Sequence, residues 1–175
     1  MTNRLIPAFT AVGALFLSGL GIALVFGLLT GGGAEPLLIV DPGPVVRWGI
    51  PVAKAFVHFG AALAVGSLMV AAFVLTRRSR AFSLSLTVAA WGAGLMTVAG
   101  AASAFLTFMA IYVEPVSIDQ RFGDLLWLYL QSTEIGRSWL ITVGLGAIVT
   151  VLSVVVRSFG GVFAAGVLSV AALWP

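Results

Sequence analysis

The sequence predicts an all-α protein, a polytopic transmembrane helical bundle with about five spans, and two observations support this fold class. First, 61% of the 175 residues are hydrophobic and 9% are charged, and a water-soluble domain of this length cannot bury so much apolar surface. Second, a helix crosses the bilayer with about 20 apolar residues, and the chain has five runs without a charged residue: 5–34, 55–76, 81–113, 138–156 and 158–175. The runs do not alternate polar and apolar residues as membrane strands do. We expect four full spans, a fifth that reaches the chain end, and a single transmembrane domain over residues 1–175.

The distribution of charges predicts which ends of the helices face the cytoplasm. All six acidic residues fall in two segments, around residues 30–50 and 114–137 (Glu35, Asp41, Glu114, Asp119, Asp124 and Glu134). Around the spans, Arg4, the cluster of Arg77, Arg78 and Arg80, and Arg157 alternate with these acidic segments. Basic residues in short loops favour the cytoplasmic side. The pattern predicts a multi-pass plasma-membrane protein in the lipid bilayer with its N-terminus inside.

The first two helices and the segment between them come next along the chain. The first apolar run is too long for the core of a signal peptide, and Gly31, Gly32 and Gly33 follow it where a cleavage site would be expected, so we interpret it as a retained helix. The outer segment that follows is rich in proline, which predicts an extended, ordered loop. Pro51 suits the first turn of helix two, and Trp48 suits the membrane interface just outside it.

The length and residue spacing of the third helix and of the second outer segment predict their local structure. Residues 81–113 would form a helix of about 50 Å, longer than the ~30 Å hydrocarbon core, so its first residues are expected to lie along the inner interface. Small residues four positions apart allow close helix contact, namely Ala99 with Ser103, Gly100 with Ala104, and Ala62 with Gly66.

In the second outer segment, one helical face is predicted from the spacing of Phe122, Leu125, Leu126, Tyr129 and Leu130. This short helix would lie in the outer interface as a spacer or as a lid, with Asp124 and Gln131 in water.

Several classes of function are excluded or disfavoured by the composition. A net charge of +3 and a pI of 10.2 would favour nucleic acid as partner in a soluble protein, but here the basic residues flank membrane spans, so no nucleic-acid partner is expected. The absence of cysteine excludes thiolate metal sites and cysteine nucleophiles. No phosphate-binding loop, nucleophile elbow or HExxH motif is present, so no catalytic residue is assigned and an enzyme is not expected.

His58, the single histidine, is the main candidate for chemistry. Lys54 lies one turn earlier on the same face of helix two. Ionisable groups within spans usually face the bundle interior and often mark functional sites. The structural alternatives are that Lys54 anchors the helix at the interface and that His58 makes a hydrogen bond to a neighbouring helix.

A metal site built from His58 and methionines is the functional alternative. Imidazole binds copper, and thioether sulfur favours Cu(I). Met109, near the outer end of helix three, is predicted at the depth of His58, and Met69 at the depth of Met96, which would give a shallow and a deep pair along a copper path. The outer carboxylates would raise the cation concentration at its entrance. Methionines in helices are more often packing residues.

Two stretches together resemble the copper-resistance D (CopD/PcoD-like) family of membrane proteins. Residues 57–73, VHFGAALAVGSLMVAAF, resemble the family helix that begins with histidine, and in residues 132–140, STEIGRSWL, the motif matches are Thr133, Gly136, Arg137, Trp139 and Leu140. The resemblance covers about the four central helices and implies copper as cofactor or cargo, with His58 as a ligand and an outer-face copper-binding protein as donor. Family members have more helices, histidines and methionines. Some resemble fusions to a cytochrome c oxidase assembly domain, so we expect this chain, which stops at Trp174 and Pro175, to be a fragment of a longer protein.

Three functions remain open on the sequence. The leading hypothesis is copper handling, by transport of copper across the plasma membrane or its supply to cuproenzymes. The main alternative is a non-transporting assembly or scaffold subunit, for example for a respiratory oxidase, with a cytochrome oxidase assembly factor as partner. A proton-coupled carrier that uses Lys54 and His58 is the third, but the spans carry no paired carboxylates for it.

Overall fold

The computed structural model describes residues 5–31, 41–112, 116–117, 119–155 and 159–172. This part of the chain folds into helices with no strand, which confirms the all-α prediction. The helices are α1 (Leu5–Thr30), α2 (Pro44–Phe73), α3 (Arg80–Tyr112), α4 (Gln120–Ser132), α5 (Glu134–Val155) and α6 (Phe159–Ala171). Several residues used to predict the topology lie outside the described residues: Arg4, Glu35, Glu114, Arg157, Trp174 and Pro175.

Three helices of the described chain, α2, α3 and α5, are long and apolar enough to cross a membrane. Shorter apolar stretches occupy Gly21–Thr30 in α1 and Gly160–Ala171 in α6. The 13 residues of α6 extend over about 20 Å, less than the hydrocarbon thickness. The structure therefore supports a helical membrane protein with at least three candidate spans, and the count of five stays a prediction.

The second helix begins earlier than the sequence predicts. It starts at Pro44, and Pro51 lies inside it rather than in its first turn. Just before the helix, Asp41 accepts a hydrogen bond from the Gly43 amide (3.0 Å) and pairs with Arg47 (3.1 Å). These contacts and the proline at the first turn favour a start at Pro44. Residues 44–50 are thus helical, and the predicted extended loop was wrong for them.

The antiparallel pair of α2 and α3 forms the centre of the bundle. Buried small residues line both helices where they meet, including Gly60, Ala61 and Ala64 on α2 with Ala89 and Gly92 on α3. The predicted contact residues of α3 (Ala99, Gly100, Ser103 and Ala104) are buried, as expected. The other predicted pair, Ala62 with Gly66, is exposed and is not packed inside the bundle.

The third helix is continuous from Arg80 to Tyr112. Its first turns do not lie separately along the interface, because Phe82 and Leu86 are buried in a core cluster with Leu68, Val149 and Val162. The hydroxyl of Ser79 accepts a hydrogen bond from the Phe82 amide (3.1 Å) and so caps this end. A helix of 33 residues, about 50 Å long, must tilt or protrude from the hydrocarbon.

The short amphipathic helix of the second outer segment is confirmed as α4. Phe122 and Tyr129 are buried, while Asp124 and Gln131 are exposed, as the spacing predicted. The buried side chains contact Phe105, Phe108 and Tyr112 of α3. This aromatic cluster attaches α4 to the C-terminal end of α3.

Helices α5 and α6 pack around the central pair. The fifth helix lies against α3 where a Cβ on Gly146 would come 2.5 Å from the hydroxyl oxygen of Thr97. The sixth helix contacts α2 and α5, and its end is tied to α5 by a buried hydrogen bond from the Thr142 hydroxyl to the Ala172 carbonyl (3.1 Å). Large apolar side chains of α1, such as Ile22 and Phe26, are exposed.

Candidate functional site

The most unusual surface in the described chain is one face of α2 that combines ionisable and small residues. The face consists of Lys54, His58, Ala62, Gly66 and Met69, which follow one another at four- and three-residue intervals. All five residues are exposed. The opposite side of α2 is buried against the bundle. We call these five residues the His58 face.

His58 lies at the middle of α2 and not near either end of the helix. It is 14 residues after Pro44 and 15 before Phe73, hence at the middle of a helix about 45 Å long. The expectation that it lies two turns from the outer end was wrong, because α2 begins seven residues earlier than Pro51. On the lipid side of a membrane span, an exposed imidazole is costly unless another helix covers it.

The imidazole of His58 has no polar partner among the described residues. No hydrogen bond joins it to another described side chain, and the predicted alternative of a hydrogen bond to a neighbouring helix is not observed there. No group of three His, Asp or Glu residues suited to a metal ion occurs in the described residues. A ligand set for His58 would therefore need atoms from elsewhere.

The register between α2 and α3 determines which methionine shares the depth of His58. Gly60 lies opposite Gly92 and Met96, and a Cβ on Gly49 would be 2.9 Å from a terminal methyl carbon of Leu106. Met96 is therefore at the level of His58, and Met109 is thirteen residues, about 20 Å, further along α3. The sequence predicted that His58 and Met109 share one depth and that Met69 and Met96 share another. Both predictions were wrong, because Met96, and not Met109, lies at the level of His58.

The three methionines also differ in their surroundings. Met96 is fully buried in a cluster with Val57, Ala61 and Ala172, on a side of α2 different from that of His58. Met109 packs against the aromatic cluster of α3 and α4. Met69 is 54% exposed and alone among them shares a face with His58. Their roles as copper ligands stay predictions.

An apolar groove between α2 and α6 adjoins the His58 face. Its volume is about 660 Å³, and Met69 belongs to both the groove and the face. The groove is lined by Val65, Leu68, Met69, Ala72 and Phe73 of α2 and by Val162, Phe163, Gly166, Val167, Val170 and Ala171 of α6. No charged residue lines it. A groove of this kind accepts apolar side chains of a neighbouring helix or lipid tails.

The motif STEIGRSWL has a local structural role at the corner between α4 and α5. The Thr133 hydroxyl accepts a hydrogen bond from the Gly136 amide (2.9 Å) and donates one to the Tyr129 carbonyl (2.8 Å). Thr133 thus caps α5. A Cβ on Gly136 would be 2.8 Å from the Leu130 Cα and would also meet the Tyr129 carbonyl, so the turn requires glycine there.

Sequence reasoning located His58 and Lys54 but missed the direction in which they point. The four-residue spacing from Lys54 to Gly66 was the available signal for one shared face. No known family model matches the chain, and neither does a curated protein or a solved structure.

Proposed function

We propose that this chain is an assembly or scaffold subunit of a membrane complex, and that it works by binding another transmembrane helix on the His58 face. The observation that carries the proposal is the exposure of His58 at the middle of α2. A polar side chain in hydrocarbon is costly, and helices within membranes cover such residues by packing against one another.

The small residues of the same face support a helix as the occupant. Nothing lies within 4 Å of a Cβ built on Gly66, so a partner helix can approach its backbone closely. Pairs of small residues four positions apart, such as Ala62 with Gly66, allow this approach. The adjoining groove provides space for the partner's apolar side chains.

The charges of the two ends of the bundle support a plasma-membrane location with the N-terminus inside. Arg77, Arg78 and Arg80 lie together at the junction of α2 and α3 with no carboxylate beside them in the sequence, whereas the opposite ends of these helices carry acidic residues, such as Asp119 and Asp124, together with basic ones, such as Arg47 and Arg121. Basic residues in short loops stay in the cytoplasm. The helix α4 then lies on the outer side.

Co-purification with a matched pair of variants tests the scaffold role. Ala62→Leu places a bulky side chain on the His58 face, and Ala102→Leu makes the same change at an exposed position of α3. We expect the first variant to lose most of the partner recovered with the wild-type protein, whereas the second keeps it. Equal recovery of the partner by both variants would contradict the proposal.

Copper handling is the second candidate function. It is favoured by the presence of His58 and Met69 on one exposed face, eleven residues or about 16 Å apart along α2. The imidazole of His58 and the thioether of Met69 would each bind copper only if a partner helix supplied further ligands. The donor would be an outer-face copper-binding protein.

Metal analysis tests the copper hypothesis independently of the scaffold role. Detergent-purified protein with added Cu(I) is expected to retain copper, and His58→Ala is expected to retain little. Copper accumulation in cells that produce either protein provides the second measurement. Equal copper content of the two proteins would show that His58 is not a copper ligand. This outcome would leave the co-purification result unaffected.

A further inference from the structure

A cavity between α3 and α5 combines hydroxyl groups with apolar side chains. Its volume is about 470 Å³, within the range of about 300–1,000 Å³ that small-molecule sites occupy. The residues that line it and carry a hydroxyl group are Ser83, Thr87, Thr150 and Ser153. No hydroxyl group lines the groove between α2 and α6. The cavity between α3 and α5 therefore suits a ligand that has both a polar and an apolar part.

One of these hydroxyl groups is buried and unpaired. Ser153 is 4% exposed, and its hydroxyl oxygen has no hydrogen-bond partner among the described residues. By contrast, the Thr87 hydroxyl donates to the Ser83 carbonyl (3.1 Å). The Thr150 hydroxyl likewise donates to the Gly146 carbonyl (2.8 Å). Because a buried hydroxyl without a partner is costly, Ser153 is suited to donate a hydrogen bond to an oxygen atom of a molecule in the cavity.

The side of the cavity that α3 forms leads to an arginine. Residues at intervals of three and four share one face of a helix, and on α3 these are Arg80, Ser83, Thr87, Trp91 and Gly94. The last four line the cavity, and Arg80 is exposed at the first residue of the helix. Arg80 therefore extends the polar end of the cavity toward the loop between α2 and α3.

The register between α3 and α5 gives the distance from Arg80 to Ser153. The two helices are antiparallel, and a Cβ on Gly146 would be 2.5 Å from the hydroxyl oxygen of Thr97. Ser153 follows Gly146 by seven residues and is thus level with Ala90. Arg80 lies ten residues, about 15 Å, from that level. An arginine side chain and the phosphoglycerol part of a lipid together span this distance.

The charge at this end of the bundle favours an anion. The sequence has no acidic residue between Asp41 and Glu114, so none accompanies the arginines at the junction of α2 and α3. Basic residues next to membrane helices attract anionic lipids. Trp91 at the cavity is 77% exposed, and Val154 is 64% exposed. The cavity is therefore open at its side, where lipid surrounds a membrane helix.

We propose that this cavity binds one anionic phospholipid of the cytoplasmic leaflet. One acyl chain lies along Trp91 and Gly94, an ester carbonyl accepts a hydrogen bond from the Ser153 hydroxyl, and Arg80 pairs with the phosphate. The choice of leaflet rests on the orientation proposed above. The lipid site itself is independent of the partner helix on the His58 face.

Lipid binding to the detergent-purified full chain, measured by native mass spectrometry, tests the headgroup. The two probes are phosphatidylglycerol and phosphatidylcholine with the same acyl chains. We expect the wild-type protein to bind phosphatidylglycerol about fivefold more tightly, the effect of one basic residue on an anionic lipid. Equal affinity for the two lipids would overturn the anionic headgroup.

A matched pair of leucine variants tests the cavity. Ala90→Leu fills it, and Ala102→Leu makes the same change at an exposed position of α3 that does not line it. We expect the first variant to bind phosphatidylglycerol about tenfold more weakly, because the added side chain overpacks the site. The second should bind as the wild type does. Equal binding by the two variants would overturn the site, and so would the loss of a co-purifying protein in place of lipid from Ala90→Leu.

Two milder substitutions test the polar contacts one at a time. Ser153→Ala removes the donor and should weaken binding about threefold, with Ser85→Ala, outside the cavity lining, as its control. Arg80→Gln should weaken binding about fivefold, with Arg137→Gln at the opposite end of the bundle as its control. Unchanged affinity in Ser153→Ala or Arg80→Gln would overturn the contact that the variant removes. None of these residues belongs to the His58 face, so either outcome leaves the co-purification test of the scaffold role intact.

Discussion

Gly60 and Gly92 face each other where α2 and α3 pack closely together. A Cβ on Gly60 would lie 2.6 Å from the Gly92 carbonyl oxygen, and a Cβ on Gly92 would lie 2.8 Å from the Gly60 carbonyl oxygen. Because both obstacles are backbone atoms, no side-chain rotation can relieve the clash. The two glycines together allow the close approach of the central helices.

Alanine at either of these glycines should destabilise the bundle. We expect Gly92→Ala to lower the free energy of unfolding by about 1–3 kcal/mol, since overpacking forces the helix backbones apart. Gly94→Ala is the matched control on the same helix, because nothing lies within 4 Å of its Cβ. That control should be neutral or stabilising by up to about 1 kcal/mol. Thermal unfolding of the detergent-solubilised proteins measures both, and equal midpoints would contradict the close approach.

The buried hydroxyl of Tyr129 leads to a second prediction. This side chain is fully buried in the aromatic cluster, with its ring centroid 5.6 Å from that of Phe108, and its hydroxyl has no hydrogen-bond partner in the described chain. Tyr129→Phe should therefore be neutral or stabilising by up to about 1 kcal/mol. Tyr129→Ala should cost about 3–5 kcal/mol through the cavity it leaves. A loss of stability in Tyr129→Phe would show that the hydroxyl has a partner in the membrane.

Tyr129 should also make the stability of α4 depend on pH. Burial, together with the nearby Tyr112 phenol, raises the pKa of Tyr129 above 10.0. The folded state thus favours the neutral phenol, and its contribution is fully present below about pH 10 and is lost as the pH rises through the raised pKa. Above about pH 10 the wild-type protein should lose stability faster than Tyr129→Phe. Parallel stability curves for the two proteins would rule out this linkage.

The elements that were predicted correctly from sequence are those whose packing is local. In α4 the spacing of Phe122 and Tyr129 determines the buried face, and aromatic side chains of α3 pack against it. The last residue of α3, Tyr112, lies next to the end of the charge-free run 81–113. In α4 the periodicity of a few residues determined the outcome.

The register and rotation of the long helices were not predictable from the sequence in the same way. Residues 60–66 of α2 contain Gly60, Ala61, Ala62, Ala64 and Gly66, so several registers with α3 offer a similar close approach. A rotation of α2 by about one residue, 100°, decides whether His58 points inward or outward. The sequence placed the imidazole within a span, but its direction depends on contacts between helices distant in sequence.

A buried hydrogen bond between α5 and α6 should contribute to stability. The Thr142 hydroxyl donates to the carbonyl of Ala172, at the end of α6. Thr142→Val keeps the shape but leaves that carbonyl unpaired, and we expect a loss of about 1–2 kcal/mol. Thr150→Val is the control, because the Thr150 hydroxyl bonds only to the Gly146 carbonyl of its own helix. Equal losses in the two variants would argue against a specific role for the contact.

The proposed orientation can be tested with single cysteines, since the chain has none of its own. Thr76 lies in the loop between α2 and α3, Gln131 lies near the end of α4, and both are exposed. Since the arginines next to Thr76 favour the cytoplasmic side, an impermeant thiol reagent should label Gln131→Cys in intact cells. Thr76→Cys should react only after the cells are permeabilised. The inverse pattern would place the N-terminus outside, and labelling of both variants in intact cells would exclude a single orientation.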